Sequence, residues 1–287
     1  MSDLILQVGR FLFEQPPDQQ IPLDQLYRAL PDYDQVTIGD VLHRMHMQHL
    51  IEATFQNDPI RLSRDGREAW NDGSIVELTL GIQYVCDRYG PATVHVVVMG
   101  VNGEFGGSGF FSADYPDCIV TAAHVLRGKN ILHIDNLNGQ VIAEPPFIAV
   151  IPENEDDVDL ALIQCNCPVG INPIRIEWRD DAIRGLEPLI VLGYPPLPNL
   201  RPGLDHIRAE LRQIAPNFRD ERDSLVISSV TLPGSSGGPV LTRRGRAVGV
   251  VEQQNIGEYQ GQNVIQAFTA TPARYLTKLR EPTPDAL

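Results

Sequence analysis

The sequence predicts an α+β multidomain chain: a small helical domain, a short linker helix, then an all-β domain closed by a C-terminal helix. Three observations predict this. Apolar residues recur at helical spacing up to about residue 75. From Thr93 the pattern changes to short β-branched runs separated by Gly- and Pro-containing turns. Residues 272–280, PARYLTKLR, are amphipathic again. A period near 3.6 marks a helix with one buried face, and alternation or short apolar runs between turn residues mark strands. The boundaries that follow are 1–75, 76–90 and 91–287.

The helical part comes first. Leu4, Ile5, Val8, Phe11 and Leu12 line one face of a helix over residues 5–14, and Pro16-Pro17 ends it. A second short helix over 23–30 stops at Pro31. A third covers 37–50, with Thr37 as its N-cap and Ile38, Val41, Leu42, Met45 and Leu50 on its apolar side. Residues 51–55 alternate like a strand, Asn57-Asp58-Pro59 makes a turn, and 60–62 form a second strand running into LSRDGREAW. Residues 74–90 read as a linker helix that Gly90-Pro91 breaks.

Two stretches, VLHRMHMQHLIEA and IRLSRDGREAW, carry a resemblance to winged helix-turn-helix domains over about a quarter of the chain. Members of that class often bind DNA through the third helix. Residues 1–75 here hold six arginines, no lysine and twelve acids, a net charge of −6. That balance repels a phosphate backbone and favours a protein partner over nucleic acid. The alternative is a DNA-binding transcription regulator. His43, His46 and His49 recur every third residue, but that spacing drifts around a helix, so they read as solvated or packed side chains rather than metal ligands.

Bulk properties narrow the setting. The chain has 287 residues, a net charge of −14 and 43% hydrophobic residues, enough for real cores and against binding to anionic membranes. The opening MSDLILQVGRFLFEQ lacks the basic start of a signal peptide, and no apolar run suits a membrane span, so a cytoplasmic location is expected. Cys86, Cys118, Cys165 and Cys167 show no disulfide framework. Cys165-x-Cys167 has no matching His/Cys pair, so neither a metal nor any other cofactor is expected.

The strands of the third segment begin with TVHVVVMGV, GSGFF and CIVTAAHVL. They continue through DLALIQC, LIVLGYP, SLVISSV, GPVLTRR, AVGVVEQ and VIQAFTAT. Regularly spaced short strands argue for a barrel or sandwich. The turn NGEFGGSG is no phosphate loop, since it lacks the Lys-Ser/Thr ending and the helix that must follow.

A serine hydroxyl is a weak nucleophile near neutrality. It needs a base, the base needs an orienting acid, and the acyl intermediate needs two donors on its oxyanion. The segment Pro233-Gly234-Ser235-Ser236-Gly237-Gly238-Pro239 offers a nucleophile at Ser236 and lets the N–H groups of Gly234 and Ser236 point at one spot. Thr121-Ala122-Ala123-His124 places a histidine after small residues at a strand end. Asp157-Val158-Asp159-Leu160 opens an apolar strand with an acid, Asp156 and Asp157 being rivals set further from it.

Each piece alone is a turn, a core histidine or a strand boundary. Together, in the order His124, Asp159, Ser236 and separated by 35 and 77 residues, they resemble the trypsin-like (chymotrypsin-fold) serine proteases. TAAH, D-[ILV]-A-L and G-x-S-G-G-P recur in that order in the family. The resemblance runs from about Val94 to the end and implies a double β-barrel with the triad between the barrels. It implies a serine endopeptidase acting on a protein or peptide substrate; in the alternative reading it is the protease attached to a DNA-binding regulator, cleaving a repressor or itself.

The departures add detail. Val125 stands where secreted members have a cysteine, which fits a reducing compartment. Ser235 stands where activated zymogens carry the aspartate that binds a freed N-terminus. Together with the preceding domain, this makes the chain similar to intracellular bacterial members. The resemblance implies that Val230, six residues before the nucleophile, sits at the base of the primary pocket; it is not an acid, so an apolar or small primary side chain is expected. Glu252 and Gln254, on the strand VVEQQN, are expected to line the substrate site.

Overall fold

The structure is a computed structural model. It describes residues 1–53, 59–152, 158–179, 183, 185–196, 203–216, 222–229, 232–252 and 268–279, and the backbone alone of 255–259 and 262–267. The chain divides into two compact units, Met1–Val85 and Cys86–Leu287.

In the first unit three helices, α1 (Ser2–Phe13), α2 (Leu23–Ala29) and α3 (Gln35–Met47), precede an antiparallel pair, β1 (Ile51–Glu52) and β2 (Arg61–Leu62). Helices α4 (Arg64–Asn71) and α5 (Ile75–Leu80) follow. One apolar cluster runs through all of these elements, from Leu4, Ile5, Val8 and Leu12 of α1 through Ile38, Val41 and Met45 of α3 to Ile75 and Val76 of α5.

Three expectations are corrected here. The cap of α3 is Asp34 rather than Thr37. The Asp34 carboxylate accepts from both the backbone N–H of Thr37 at 2.9 Å and its hydroxyl at 2.7 Å, so the helix starts earlier and Thr37 is the capped residue. Likewise the linker helix is two helices, α5 and α6 (Ile82–Tyr89), parted at Gly81, whose φ of +82° favours glycine. Because Ile75 and Val76 are buried in the first core, that unit runs to Val85, not to residue 75. The end of α3 also separates the histidines: His49 lies past the helix with a φ of 56°, and His43 and His49 are exposed.

The second unit holds two sheets. The first has the order β7-β6-β3-β4-β5-β9-β8. Its strands are β3 (Thr93–Gly100), β4 (Gly103–Phe111), β5 (Cys118–Thr121), β6 (Asn130–Asp135), β7 (Val141–Ala143), β8 (Ala149–Val150) and β9 (Ala161–Gln164). A single helical turn, α7 (Ala123–Leu126), follows β5. The second sheet has the order β10-β15-β14-β11-β12-β13-β17-β16, and β15 also pairs with β17. Its members are β10 (Arg175–Ile176), β11 (Pro188–Gly193), β12 (Asp205–Pro216), β13 (Asp223–Ile227), β14 (Pro239–Thr242), β15 (Arg246–Val251), β16 (Asn255–Tyr259) and β17 (Gln262–Pro272).

The β15–β17 pairing closes six strands of the second sheet into a barrel, filled by Leu189, Val191, Leu211, Leu225, Ile227, Val240 and Val251. The first sheet stays open among the described residues, so of the two expected barrels one is closed and one is a curved half-barrel. The closing helix is also different in kind. Ala273–Lys278 is a 3₁₀ helix entered from Pro272, and its end is tied by Leu279 N–H to the Leu276 carbonyl at 2.9 Å, the i to i+3 spacing of that tighter coil.

Candidate active site

The sequence puts His124 and Asp159 together through strand register. Strands β5 and β9 run antiparallel, with Thr121 opposite Ala161 and Cys118 opposite Gln164. The chain leaves β5 at Thr121 and reaches His124 three residues on. It enters β9 at Ala161, two residues after Asp159, so both side chains emerge at the same end of the pair. Ala122 and Ala123 are fully buried, which lets the turn bearing His124 sit close on the sheet.

Asp159 then holds His124 twice. Oδ1 accepts the His124 backbone N–H at 2.8 Å, and Oδ2 lies 2.6 Å from Nδ1. An ionised carboxylate only accepts, so Nδ1 carries the proton and Nε2 of the neutral ring is left as a base. Burial pushes the Asp159 carboxyl up. The hydrogen bonds and charge of His124, with the charge of Arg127, outweigh it and hold the group below the usual carboxylate range. Lys129 ties the back of the turn, donating to the carbonyls of His124 at 2.7 Å and Val125 at 3.2 Å.

Ser236 is held by main chain. It lies in the connection from β13 to β14, where Ser235 N–H bonds the Leu232 carbonyl at 3.0 Å and Gly238 N–H the Ser235 carbonyl at 2.9 Å. Val251 clasps the turn: its carbonyl accepts from Gly237 N–H and its N–H donates to the Gly238 carbonyl, each at 2.9 Å. Gly237 has a φ of +88°, and a Cβ there would meet the Ser108 carbonyl oxygen at 2.1 Å and Thr121 Oγ1 at 2.3 Å. Only glycine lets the turn approach the strand that leads to His124. Among the described residues the N–H groups of Gly234 and Ser236 take no partner, and the half-buried Ser236 hydroxyl makes no hydrogen bond.

Ser108 was not singled out from the sequence, yet it joins the two sheets. Its N–H donates to the Ser236 carbonyl at 2.7 Å, and its hydroxyl donates to the Gly234 carbonyl at 2.7 Å while accepting from Tyr194 N–H at 2.9 Å. Thr121 in turn donates its hydroxyl to the Ser108 carbonyl at 2.7 Å. The available signal was a hydroxyl inside GSGFF, a strand whose neighbours are glycine and phenylalanine. A fully buried serine must bond something.

Of the remaining expected residues, Val230 and Gln254 lie outside the described residues, as do the rival acids Asp156 and Asp157. Glu252 directly follows β15, and its carboxyl accepts the Thr271 hydroxyl. Ser235 is buried, with its hydroxyl unpartnered among the described residues. All four cysteines are free thiols, and burial raises that of Cys165 to about 11.

A family model described as the trypsin-like peptidase domain matches residues 107–250, half of the chain, and the chain belongs to that family. The class so defined is that of the trypsin-like peptidases. Among curated proteins, serine protease Rv3671c of Mycobacterium tuberculosis is 29% identical over 150 residues, covering 50% of this chain and 35% of that protein. The chain thus spans about a third of the length of the curated relatives it matches first. Among solved structures, the HtrA-type protease AlgW with tripeptide shares the fold at a TM-score of 0.53 and 17% identity, over 68% of this chain and 61% of that one. The serine endoprotease from Yersinia pestis does so at 0.52 and 20%, over 68% and 64%.

Proposed function

We propose that this protein is a serine endopeptidase that hydrolyses peptide bonds of a protein substrate, with Ser236 as nucleophile, His124 as general base and Asp159 as orienting acid. The observation that carries the reading is the Asp159–His124 pair. Its 2.6 Å contact on Nδ1 leaves Nε2 to take a proton, and Ser108 ties the Ser236 turn to the same sheet. In the reaction the Ser236 oxygen attacks the scissile carbonyl as His124 takes its proton. The Gly234 and Ser236 N–H groups receive the oxyanion, and His124 returns the proton to the leaving amine. In the Michaelis complex the Ser236 hydroxyl comes within hydrogen-bond reach of His124 Nε2.

Met1–Val85 serves as a winged-helix module for partner binding or regulation. Three helices followed by a two-stranded ribbon support the first part of that statement, and the excess of acids over arginines supports a protein partner over DNA. The protein works in the cytoplasm, in keeping with Val125 at the position of the secreted members' cysteine.

Labelling with a fluorophosphonate probe tests the reading. Wild-type protein is expected to label at a single site, and Ser236→Ala and His124→Ala to abolish labelling. Undiminished labelling in either variant overturns the assignment.

A further inference from the structure

His124 sits on α7, a single helical turn, and every carbonyl of that turn has a donor. A helix end leaves its last carbonyls without partners inside the helix. Main chain satisfies two of the four here: Arg127 N–H donates to the Ala123 carbonyl at 2.9 Å and Lys129 N–H to the Leu126 carbonyl at 3.0 Å. The other two, on His124 and Val125, accept from the Lys129 ammonium at 2.7 and 3.2 Å. Gly128, with a φ of +68°, turns the chain so that the lysine folds back over the turn it follows. The lysine stem is half-buried against the hairpin of β3 and β4. A Cβ on Gly100 would meet Lys129 Cγ at 3.6 Å and Phe105 Cε2 at 3.1 Å, and the ammonium lies 5.9 Å from the centre of the Phe105 ring.

The geometry points to Lys129 as a positioning residue for His124: its ammonium, seated over the Phe105 ring, fixes the carbonyl side of the His124 backbone while Asp159 fixes the N–H side. The inference rests on the proposed function, which gives His124 the role of base. Asp159 Oδ2 orients the ring through Nδ1, but a ring is aimed only as well as the backbone that carries it. Asp159 Oδ1 holds that backbone at one point, the His124 N–H, at 2.8 Å. Lys129 supplies the second point, and hydrogen bonds from a charged donor are the stronger kind. Without them the carbonyls of His124 and Val125 turn to water, and the one-turn helix is free to rock about the Asp159 contact. Nε2 then spends less time where it can take the serine proton. The step of attack slows, and the binding of substrate does not change.

Lys129→Met keeps an unbranched stem against Gly100 and Phe105 and removes the donor. Lys129→Arg keeps a cation and its donors. Two readouts on the full chain, taken well below the Tm of each variant, decide the matter. One is fluorophosphonate labelling against probe concentration, which separates the maximal rate from half-saturation. The other is the NMR signal of the His124 Nδ1 proton. Lys129→Met is expected to slow maximal labelling by about tenfold, to leave half-saturation in place and to move the Nδ1 signal. Lys129→Arg is expected to stay within about threefold of wild type, with the signal restored. A folded Lys129→Met that loses only Tm, with both readouts unchanged, overturns the inference. So does an equal loss in Lys129→Arg, which would place the effect in the stem and not in the cation. If Lys129→Met does not fold, Phe105→Leu carries the test. It changes an exposed ring, and is expected to slow labelling by about twofold and to move the signal the same way. No change there overturns the inference. Labelling absent from wild type defeats the proposed function. The Nδ1 signal then decides alone: moved in Lys129→Met and restored in Lys129→Arg, it upholds the positioning role; unmoved, it overturns it.

Discussion

The two sheets of the C-terminal unit hold their parts of the site by different means. On the half-barrel side the proposed acid and base are joined by side chains, with one carboxylate making two bonds to one histidine across a single strand pair. On the closed-barrel side the serine is placed by main chain: a glycine turn, clasped by Val251, with no hydrogen bond from its own side chains among the described residues. Side-chain placement tolerates change of the backbone but not of functional groups. Main-chain placement tolerates change of side chains but not the arrival of a Cβ. Ser108 is where the two meet, since its main chain bonds Ser236 and its hydroxyl bonds Gly234.

The sharpest way to break the first kind of holding is Asp159→Asn. The amide matches the carboxylate in size but can present an N–H to Nδ1, which then lacks a proton and leaves Nε2 protonated, unable to act as a base. Turnover is expected to fall by about 10³- to 10⁴-fold with the fold intact, measured as kcat/KM on a peptide substrate beside circular dichroism. Activity within tenfold of wild type would show that the histidine does not depend on this acid. The matching test of main-chain holding is Gly237→Ala. Its Cβ would fall 2.1 Å from the Ser108 carbonyl oxygen, at a φ of +88°. A loss of about 2–4 kcal/mol in unfolding free energy and of about 100-fold in labelling is expected. Alanine tolerated there in both assays would mean that the turn is not locked as described.

The difference also explains what could be read from the sequence. The proposed residues His124, Asp159 and Ser236 could be named from the sequence because each sits in a short motif: TAAH, DVDL and GSSGGP. The strands around them were legible because apolar runs between turn residues mark buried strands. The closure of one sheet and not the other was not legible, because it depends on β15 pairing with β17 across intervening residues, a contact that no local pattern encodes. Ser108 was missed for a related reason. Its partners Gly234 and Tyr194 are 126 and 86 residues away, and a hydroxyl in a glycine-rich strand looks the same whether it faces water or a core. The boundary near residue 75 fell short because Ile75 and Val76 are apolar in either reading, and only packing shows which core takes them.

Ser108→Ala sharpens the comparison at the joint. The substitution keeps the backbone bond to Ser236 but removes the hydroxyl shared by Gly234 and Tyr194, leaving a carbonyl and an N–H short of a partner. A loss of about 1–3 kcal/mol in stability is expected. Labelling of Ser236 should slow by about tenfold while the NMR signals of the His124 ring stay where they are. A shift of the His124 resonances equal to that in Asp159→Asn would show that the two halves are not held separately.

The smallest expected effect concerns pH and the half-barrel side alone. Asp159 has a folded-state pKa below its unfolded value of about 3.9. Its bonds to His124 therefore contribute stability in full only above that unfolded value. The contribution is lost as pH falls through the lower, folded-state value, because the native state resists the proton that the unfolded chain takes up. The difference in Tm between wild type and Asp159→Asn is then expected to be constant near neutrality and to shrink below about pH 4. No comparable term is expected between wild type and Gly237→Ala, whose cost is steric and indifferent to protons. If the Gly237→Ala deficit shrank with acid in the same way, the serine side would also be held by charge, and the contrast between the two sheets would fail.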